Sequence, residues 1–388
     1  MEETSSLNTD FSLLMTSQFL QKQAEIGENF VSSPLSFQLI LNLVAAGATG
    51  QTLEQLLQFL GSKDQTELNS LSLQLIGLAS IPEGAPMLSF VNGVWVDKRF
   101  SLNPSFKEIA TDVYNAKTEE VDFVNKADEE RLRVNLWADA KTGGLIQKLL
   151  PSGSVDSCTA VILANALYFK GSWNQRFDAS QTQLRDFHLL DGQIIQVPFM
   201  TAAKNERYMY RYFGSYRILQ LPYQTGQDTR RFSMYFFLPE EKDGLLNLVN
   251  MLNSTPGFFN QKFTLSLVKL RDFWVPRFKF EFVLEASETM KEMGLQLPFC
   301  PGELTGMVSS DNKDDIVYLS KVFQKSYIEV NEEGTEAAAS TAARFSRRSA
   351  LHPTPRFVAD HPFMFMIREE VSRTVFFTGA VFNPLPPN

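Results

Sequence analysis

Histidine and cysteine are scarce in this chain, with three and two copies among 388 residues. The histidines are His188, His352 and His361, and the chain has no G-x-S-x-G elbow, H-E-x-x-H helix, Walker loop or G-x-G-x-x-G turn. Cys158 and Cys300 lack a local nucleophile signature and are too few for a disulfide scaffold. We therefore expect no enzyme activity, cofactor or metal site, and two free thiols in a reducing compartment.

An excess of basic residues and long apolar runs are also missing. The net charge is −8, which argues against nucleic-acid binding through a basic surface. No stretch approaches the roughly 20 apolar residues of a membrane span. The start, Met1-Glu-Glu-Thr-Ser, has acids where a signal peptide needs a basic leader. We expect a cytoplasmic or nucleocytoplasmic protein, with extracellular release left open.

Linkers, charge blocks and internal repeats are lacking as well, so we expect a single domain over residues 1–388 and a monomer. Helical patterns prevail in the first half. Ser33-Pro34 is typical of a helix start, Thr52-Leu-Glu-Gln55 fits a capping box that opens a helix, and residues 127–150 are mostly helical with a break near Gly143-Gly144. Strand patterns dominate later, which predicts an α+β fold.

Two strands stand out. Residues 159–169 are almost wholly apolar, which predicts a strand in the middle of a sheet with both faces covered. Asn165 is its one strongly polar residue, and we interpret it as a buried amide with its hydrogen bonds satisfied. In residues 273–282, Phe278, Phe280 and Phe282 alternate with charged residues, as in a half-buried strand.

The stretch from Asn331 to Ser349 is small, polar and ends in an arginine pair, as an exposed loop open to proteolysis would. Its alternation is typical of a strand instead, because successive strand side chains point to opposite faces. One set is uncharged and mostly small: Thr335, Ala337, Ala339, Thr341, Ala343 and Phe345. The other carries both charges: Glu336, Ala338, Ser340, Ala342, Arg344 and Ser346.

The segment Glu332-Glu-Gly-Thr-Glu-Ala-Ala-Ala-Ser340 resembles the hinge of the reactive centre loop of inhibitory serpins. The plant Z-type serpins are the most similar, through Leu150-Pro-Ser-Gly-Ser, Arg231-Phe-Ser-Met-Tyr-Phe-Phe-Leu-Pro and Phe357-Val-Ala-Asp-His-Pro-Phe. The resemblance covers the chain from Asn29 onward. It implies a serpin fold, with about nine helices around three β-sheets and an exposed loop at about residues 332–356.

The resemblance also implies a function: irreversible, suicide-substrate inhibition of a protease by insertion of the cleaved loop into the main sheet. The family's count of fourteen residues past Gly334 sets the reactive bond at Arg348–Ser349, preceded by Arg347. Arginine favours a trypsin-like serine protease, or a metacaspase or papain-like cysteine protease, with an acidic pocket. The alternative interpretation of the arginine pair is that it forms part of a nuclear localisation signal. The implied hinge consists of Glu333, Gly334, Thr335, Glu336, Ala337, Ala338, Ala339, Ser340 and Thr341.

Further positions follow from local matches to the family. Ser33, Ser36 and Asn165 correspond to the polar shutter cluster beneath the opening of the main sheet, and Trp173 to the tryptophan where the loop enters. Gln324 stands where the family has a shutter histidine, so we expect sheet opening to depend less on pH. The alternative function is a non-inhibitory serpin that acts as a binding or chaperone-like protein. The absence of proline from the hinge favours inhibition.

Overall fold

The computed structural model describes residues 10–79, 86–201, 206–226, 230–255, 257–302, 304–309, 317–335 and 354–386. In these ranges there are eight α-helices and three short 3₁₀-helices. The α-helices are α1 (Asp10–Ile26), α2 (Pro34–Ala46), α3 (Gly50–Leu60), α4 (Gln65–Ala79), α5 (Pro104–Asp112), α6 (Phe123–Lys141), α7 (Leu245–Asn253) and α8 (Ser287–Glu292); the 3₁₀-helices are Ala179–Gln181, Phe258–Asn260 and Leu297–Phe299.

The helix boundaries confirm some of the sequence predictions and correct others. Ser33 caps α2, because its side chain accepts a hydrogen bond from the Ser36 backbone and Pro34 follows it. The capping box at Thr52 is wrong, since the Leu53 N–H already bonds to the Thr49 carbonyl and α3 starts a turn earlier. Helix α6 covers residues 123–141, begins at a cap from the Asp122 side chain and has a kink at Lys126. The predicted break near Gly143-Gly144 is confirmed, since both glycines are left-handed, but the predicted helix beyond them to residue 150 is wrong.

Nineteen strands are described. They are β1 (Phe30–Ser32), β2 (Met87–Asp97), β3 (Ser101–Leu102), β4 (Ala116–Val121), β5 (Val161–Ser172), β6 (Gln183–His188), β7 (Ile194–Met200), β8 (Arg207–Tyr212), β9 (Tyr216–Pro222), β10 (Phe232–Pro239), β11 (Ser266–Lys269), β12 (Phe273–Pro276), β13 (Phe278–Glu285), β14 (Val308–Ser309), β15 (Leu319–Val330), β16 (Gly334–Thr335), β17 (Phe357–Val358), β18 (Phe363–Glu369) and β19 (Val375–Val381).

The strands form three large sheets and one small pair. The main sheet has the order β13-β15-β5-β2-β4, and β16 adds to one end of β5. A seven-stranded sheet has the order β1-β19-β18-β10-β9-β8-β11, and a four-stranded sheet the order β17-β12-β7-β6. Strands β14 and β3 pair alone. The α+β prediction is confirmed.

Strand β5 lies in the middle of the main sheet, as its apolar sequence predicts. It runs antiparallel to β2 on one side and parallel to β15 on the other. In β13, Phe278 and Phe280 are buried and Phe282 is partly buried, whereas Lys279 and Glu281 are exposed, so the predicted alternation is confirmed. The single strand predicted over residues 273–282 is wrong, because the chain is divided at Arg277 into β12 and β13, which belong to different sheets. Helix α6 packs across the main sheet, where the rings of Trp95 and Trp137 meet edge to face at 5.0 Å.

Candidate functional site

Strands β5 and β15 are parallel, so they end at the same edge of the main sheet, which we call the head of the sheet. Just beyond β15 the chain turns back. The Asn331 carboxamide oxygen accepts hydrogen bonds from the Glu333 and Gly334 N–H groups, at 3.0 and 3.2 Å. The Asn331 N–H donates to the Gly334 carbonyl at 3.0 Å. This turn sends the following residues down along β5 in the opposite direction.

Strand β16 is the first piece of the predicted hinge, and it pairs antiparallel with β5. Gly334 lies opposite Ser172 and Thr335 opposite Gly171. The Trp173 N–H extends the pairing by donating to the Glu333 carbonyl at 2.8 Å. The backbones are so close that a Cβ on Gly334 would lie 2.0 Å from the Gly171 carbonyl oxygen. The glycine is therefore required by this close approach.

Trp173 lies where the hinge meets the main sheet, as the sequence predicts. Its side chain is buried, and its indole N–H donates to the Asn331 carbonyl at 2.9 Å. Its ring stacks on Tyr223, with centroids 4.6 Å apart and planes 16° from parallel. The tryptophan thus joins the turn after β15 to the end of β9.

Thr335 points into the protein, onto the Trp173–Tyr223 stack. It is 1% exposed, and its hydroxyl lies 2.7 Å from the Tyr223 hydroxyl. Burial raises the pKa of Tyr223, although its hydrogen bond to Thr335 opposes the change, so the phenol stays neutral. The inward position predicted for Thr335 is confirmed.

Glu332 is a site residue that the sequence analysis does not single out. Its carboxylate is almost wholly buried, and both oxygens accept from Arg277 Nε at 2.7 Å. The Thr182 hydroxyl donates to the same carboxylate, and the Phe177 N–H donates to the Glu332 carbonyl at 3.0 Å. These contacts fix the start of the hinge to the segment that precedes β6 and to the β12–β13 connection. No local pattern marks Arg277 as the partner, because it lies 55 residues earlier in the chain.

The four predicted shutter residues come together beneath the main sheet, where β5 and β15 pair. The Ser36 hydroxyl donates to the Asn165 Oδ1, and Asn165 Nδ2 donates to Asn92. Gln324, which is opposite Asn165 in the register, donates from Nε2 to the Ser33 carbonyl at 3.1 Å. Gln324 Oε1 accepts from the Ser32 hydroxyl. The interpretation of Asn165 as a satisfied buried amide is confirmed.

Comparison with known proteins identifies the family. A family model described as Serpin (serine protease inhibitor) matches residues 6–384. The chain belongs to the serpin family. It is 42% identical to Serpin-ZX of Arabidopsis thaliana over 99% of both chains. It is 47% identical to Serpin-ZX of Hordeum vulgare over 92% of this chain and 90% of the relative.

Solved serpin structures share the fold. A structure described as Arabidopsis AtSerpin1 in its native stressed conformation superimposes with a TM-score of 0.85 and 40% identity, over 98% of this chain and 99% of that one. Uncleaved ovalbumin superimposes with a TM-score of 0.80 at 23% identity, over 98% of this chain and 100% of that one. The predicted serpin fold and the resemblance to plant Z-type members are confirmed, and with them the general role of protease inhibitor.

Above the main sheet of this serpin, Lys325 ties β15 to the segment that follows α6. The lysine is fully buried, and its Nζ donates to the Lys148 carbonyl at 3.1 Å and pairs with Glu281 at 2.8 Å. Gln324 and Lys325 are consecutive, so they hold opposite faces of the same strand. Separation of β15 from β5 therefore has to disturb contacts on both faces of β15.

The reactive bond Arg348–Ser349, the specificity residue Arg347 and the rest of the hinge (Glu336, Ala337, Ala338, Ala339, Ser340 and Thr341) lie outside the described residues. The chain is described again from Thr354. There the Arg271 N–H donates to the Pro355 carbonyl at 2.8 Å, and β17 pairs with β12. The loop of this serpin is thus anchored to the main sheet at one end and to the four-stranded sheet at the other.

The histidines and cysteines of this serpin do not form a catalytic group in the described ranges. His361 Nε2 lies 3.0 Å from the Pro239 carbonyl and its Nδ1 lies 2.8 Å from Asp360. Cys158 is exposed and Cys300 is half-buried. His352 is outside the described residues. The described side chains contain no cluster of three potential metal ligands, and no described helix has the length and apolar character needed to cross a membrane.

Proposed function

We propose that this serpin is an irreversible, suicide-substrate inhibitor of arginine-specific serine or cysteine proteases, and that the reactive bond is Arg348–Ser349. The observation that supports the mechanism is the pairing of β16 with β5. The hinge residues Gly334 and Thr335 already run antiparallel to β5, in the direction that an inserted loop would take. The alternation of small uncharged residues continues from Thr335 through the undescribed hinge.

The register of β16 indicates which contacts insertion would replace. Each further residue of the loop moves one residue back along β5, so Thr341 would come opposite Asn165 and Phe345 opposite Val161. Residues 161–168 of β5 are now paired with β15. Insertion therefore requires β15 to separate from β5, and the shutter contacts between Gln324, Asn165 and the residues beneath them to rearrange.

The proposed inhibition is a competition between two steps. A serine or cysteine protease that attacks Arg348 becomes acylated by the loop. Cleavage detaches the hinge side from the anchor at β17, and that segment becomes able to enter the main sheet with the protease attached. An inserted strand of about 14 residues spans about 45 Å at roughly 3.3 Å per residue. The protease is trapped if insertion is faster than hydrolysis of the acyl-enzyme.

The proposed target class follows from the side chain at the reactive bond. Arginine is always charged and presents five N–H donors, which suits an acidic pocket in a trypsin-like serine protease, or in a metacaspase or papain-like cysteine protease. We propose that the inhibitor acts as a monomer in the cytoplasm or nucleocytoplasm, a reducing environment that suits the free thiols of Cys158 and Cys300. The native state is proposed to be metastable, as the description of AtSerpin1 as stressed implies for that relative.

Incubation with trypsin at equal molar ratio tests the proposal. We expect a covalent complex that survives denaturant and a released C-terminal fragment that begins at Ser349. The control is Arg348→Ala, which should form no such complex through this bond. A protein that is cut after Arg348 while trypsin keeps its full activity would contradict the inhibitory mechanism and favour a non-inhibitory serpin.

A further inference from the structure

A cleft of about 410 Å³ opens beside the head of the main sheet, at the end of the β9–β10 hairpin. It is lined by Asn174, Gln220, Tyr223, Arg231, Ser233 and Glu370, among others. The reactive-loop mechanism does not use this cleft as a binding site. Its wall nevertheless includes Tyr223, the residue on which the hinge rests.

The cleft is lined by one cation and one carboxylate, Arg231 and Glu370, which do not form an ion pair with each other. Both carboxylate oxygens of Glu370 accept from the Tyr235 hydroxyl at 2.8 Å, and one lies 3.3 Å from Arg368. Arg368 thus compensates the negative charge of Glu370. The exposed Arg231 donates its backbone N–H to a carboxylate oxygen of Glu369 at 3.2 Å, and its carbonyl accepts from the Glu370 backbone N–H at 2.7 Å. Its guanidinium has no hydrogen-bond or ion-pair partner among the residues that the structure describes.

Hydrogen-bond donors line the same cleft as Arg231. Gln220 Nε2 donates to the Ser233 hydroxyl at 3.0 Å, which leaves the Ser233 proton available for an acceptor. The Asn174 N–H donates to the Pro222 carbonyl at 2.9 Å, and this exposed asparagine also lines the cleft. A guanidinium with amide and hydroxyl donors matches the acceptor oxygens of an oxyanion, and charge-assisted bonds of this kind are the strong ones.

We propose that this cleft binds the carboxylate or phosphate group of a small molecule, and that its occupancy is transmitted to the hinge through Tyr223. The Tyr223 hydroxyl contacts Thr335 at 2.7 Å, and its ring stacks on Trp173. A ligand against Tyr223 therefore stabilises the arrangement in which β16 is seated. The site is independent of the identity of the reactive bond, so it stands or falls separately from the proposed target class.

Titration of the full-length protein with malate and with inorganic phosphate tests the site, at ionic strength held constant with sodium chloride. We expect a saturable rise in the unfolding midpoint with at least one probe, because a ligand that binds only the folded state stabilises it. Loss of the charge-assisted bonds in Arg231→Gln should weaken binding about tenfold or more. The matched control is Lys107→Gln, which removes an exposed cation paired with Glu120 on another part of the surface.

The two probes distinguish the source of the anion. A shift of the unfolding midpoint with malate alone indicates an organic carboxylate, whereas a shift with phosphate alone indicates a phosphate ester or free phosphate. The proposed site is overturned if neither probe gives a saturable shift, or if Arg231→Gln binds as tightly as the unchanged protein. Coupling is read from tryptophan emission, which should change on binding. In Trp173→Phe this change should vanish while the unfolding shift remains; an emission change that persists would overturn transmission through Tyr223.

Discussion

At the scale of single residues, the close pairing of β16 with β5 at the head of the main sheet restricts the size and charge of the side chains that fit there. Gly334 and Thr335 meet β5 so closely that backbone fills the space where a Cβ of Gly334 would lie. Thr335 fits because its side chain is short and its buried hydroxyl finds a partner in the Tyr223 hydroxyl. A longer side chain at this position has no exit to solvent without lifting β16 from the sheet.

Thr335→Arg should convert the inhibitor into a substrate. The position is 1% exposed, and a lone arginine buried there has no carboxylate to compensate its charge among the contacts of Thr335. Insertion should slow while acylation at Arg348 continues, so hydrolysis wins. The measurement is the yield of covalent trypsin complex, which we expect to fall about tenfold or more, since several kcal/mol oppose burial of the charge.

Thr335→Val is the matched control for this prediction. It keeps the branched shape and loses only the hydroxyl bond to Tyr223, worth about 1 kcal/mol. We expect a complex yield close to that of the unchanged protein. Sequencing of the released fragment should begin at Ser349 in both variants. An unchanged yield for Thr335→Arg would refute the argument from burial.

At the scale of elements, local sequence patterns predicted strands better than the contacts that position them. The apolar run of β5 and the phenylalanine alternation of β13 were sufficient to predict these strands. A strand buried on both faces is apolar throughout, and a strand buried on one face alternates apolar with polar residues. The capping box at Thr52 failed because the same residues also fit inside a helix, and tertiary burial of Thr52 decided the boundary.

The contacts of the hinge could be predicted only in part. Trp173 and the shutter residues follow from family resemblance, and the structure shows how they meet. The ion pair of Glu332 with Arg277 joins residues whose local sequences have nothing in common, so its prediction requires the packing of the four-stranded sheet against the main sheet. The same holds for Tyr223, whose position opposite Thr335 depends on where β9 ends.

The shutter is the element that gives a pH prediction. Gln324 accepts from the Ser32 hydroxyl and donates to the Ser33 carbonyl, and neither role changes with pH. In Gln324→His, a neutral imidazole can play both roles, whereas a protonated ring cannot accept. Burial also lowers the pKa of a histidine below its usual value near 6.5. The stability that this histidine provides is therefore present above about pH 6.5 and is lost as the pH falls through its folded-state pKa.

Unfolding midpoints measured between pH 8 and pH 5 should therefore fall more in Gln324→His than in the unchanged protein, by roughly 2 °C or more. Gln324→Met serves as the control, because it removes the same hydrogen bonds without adding a titrating group. Its midpoint should be lower at every pH by a constant amount. Parallel pH curves for all three proteins would show that the shutter does not sense protonation at this position.

At the scale of the whole molecule, the loop connects two anchors that insertion cannot satisfy together. Thr335 is held against β5, and β17 is held parallel to β12 in the four-stranded sheet. While the loop is intact, its entry into the main sheet pulls on β17. In the present state no strand is inserted between β15 and β5, because β15 pairs directly with residues 161–168 of β5. Cleavage removes the conflict, because the hinge side no longer has to reach β17.

Cleavage after Arg348 should therefore make the protein more resistant to heat. The inserted strand would gain backbone hydrogen bonds to β5 and β15 at about 1 kcal/mol each, and would bury Thr341 and Phe345 between covered faces. We expect the unfolding midpoint to rise by about 10 °C or more after limited digestion with a catalytic amount of trypsin. Cleaved Thr335→Arg should show a much smaller rise, because its first inserted residue carries a buried charge. A cleaved protein that separates into two pieces at the original midpoint would mean that the seated hinge is an end state of the fold and not the beginning of a strand.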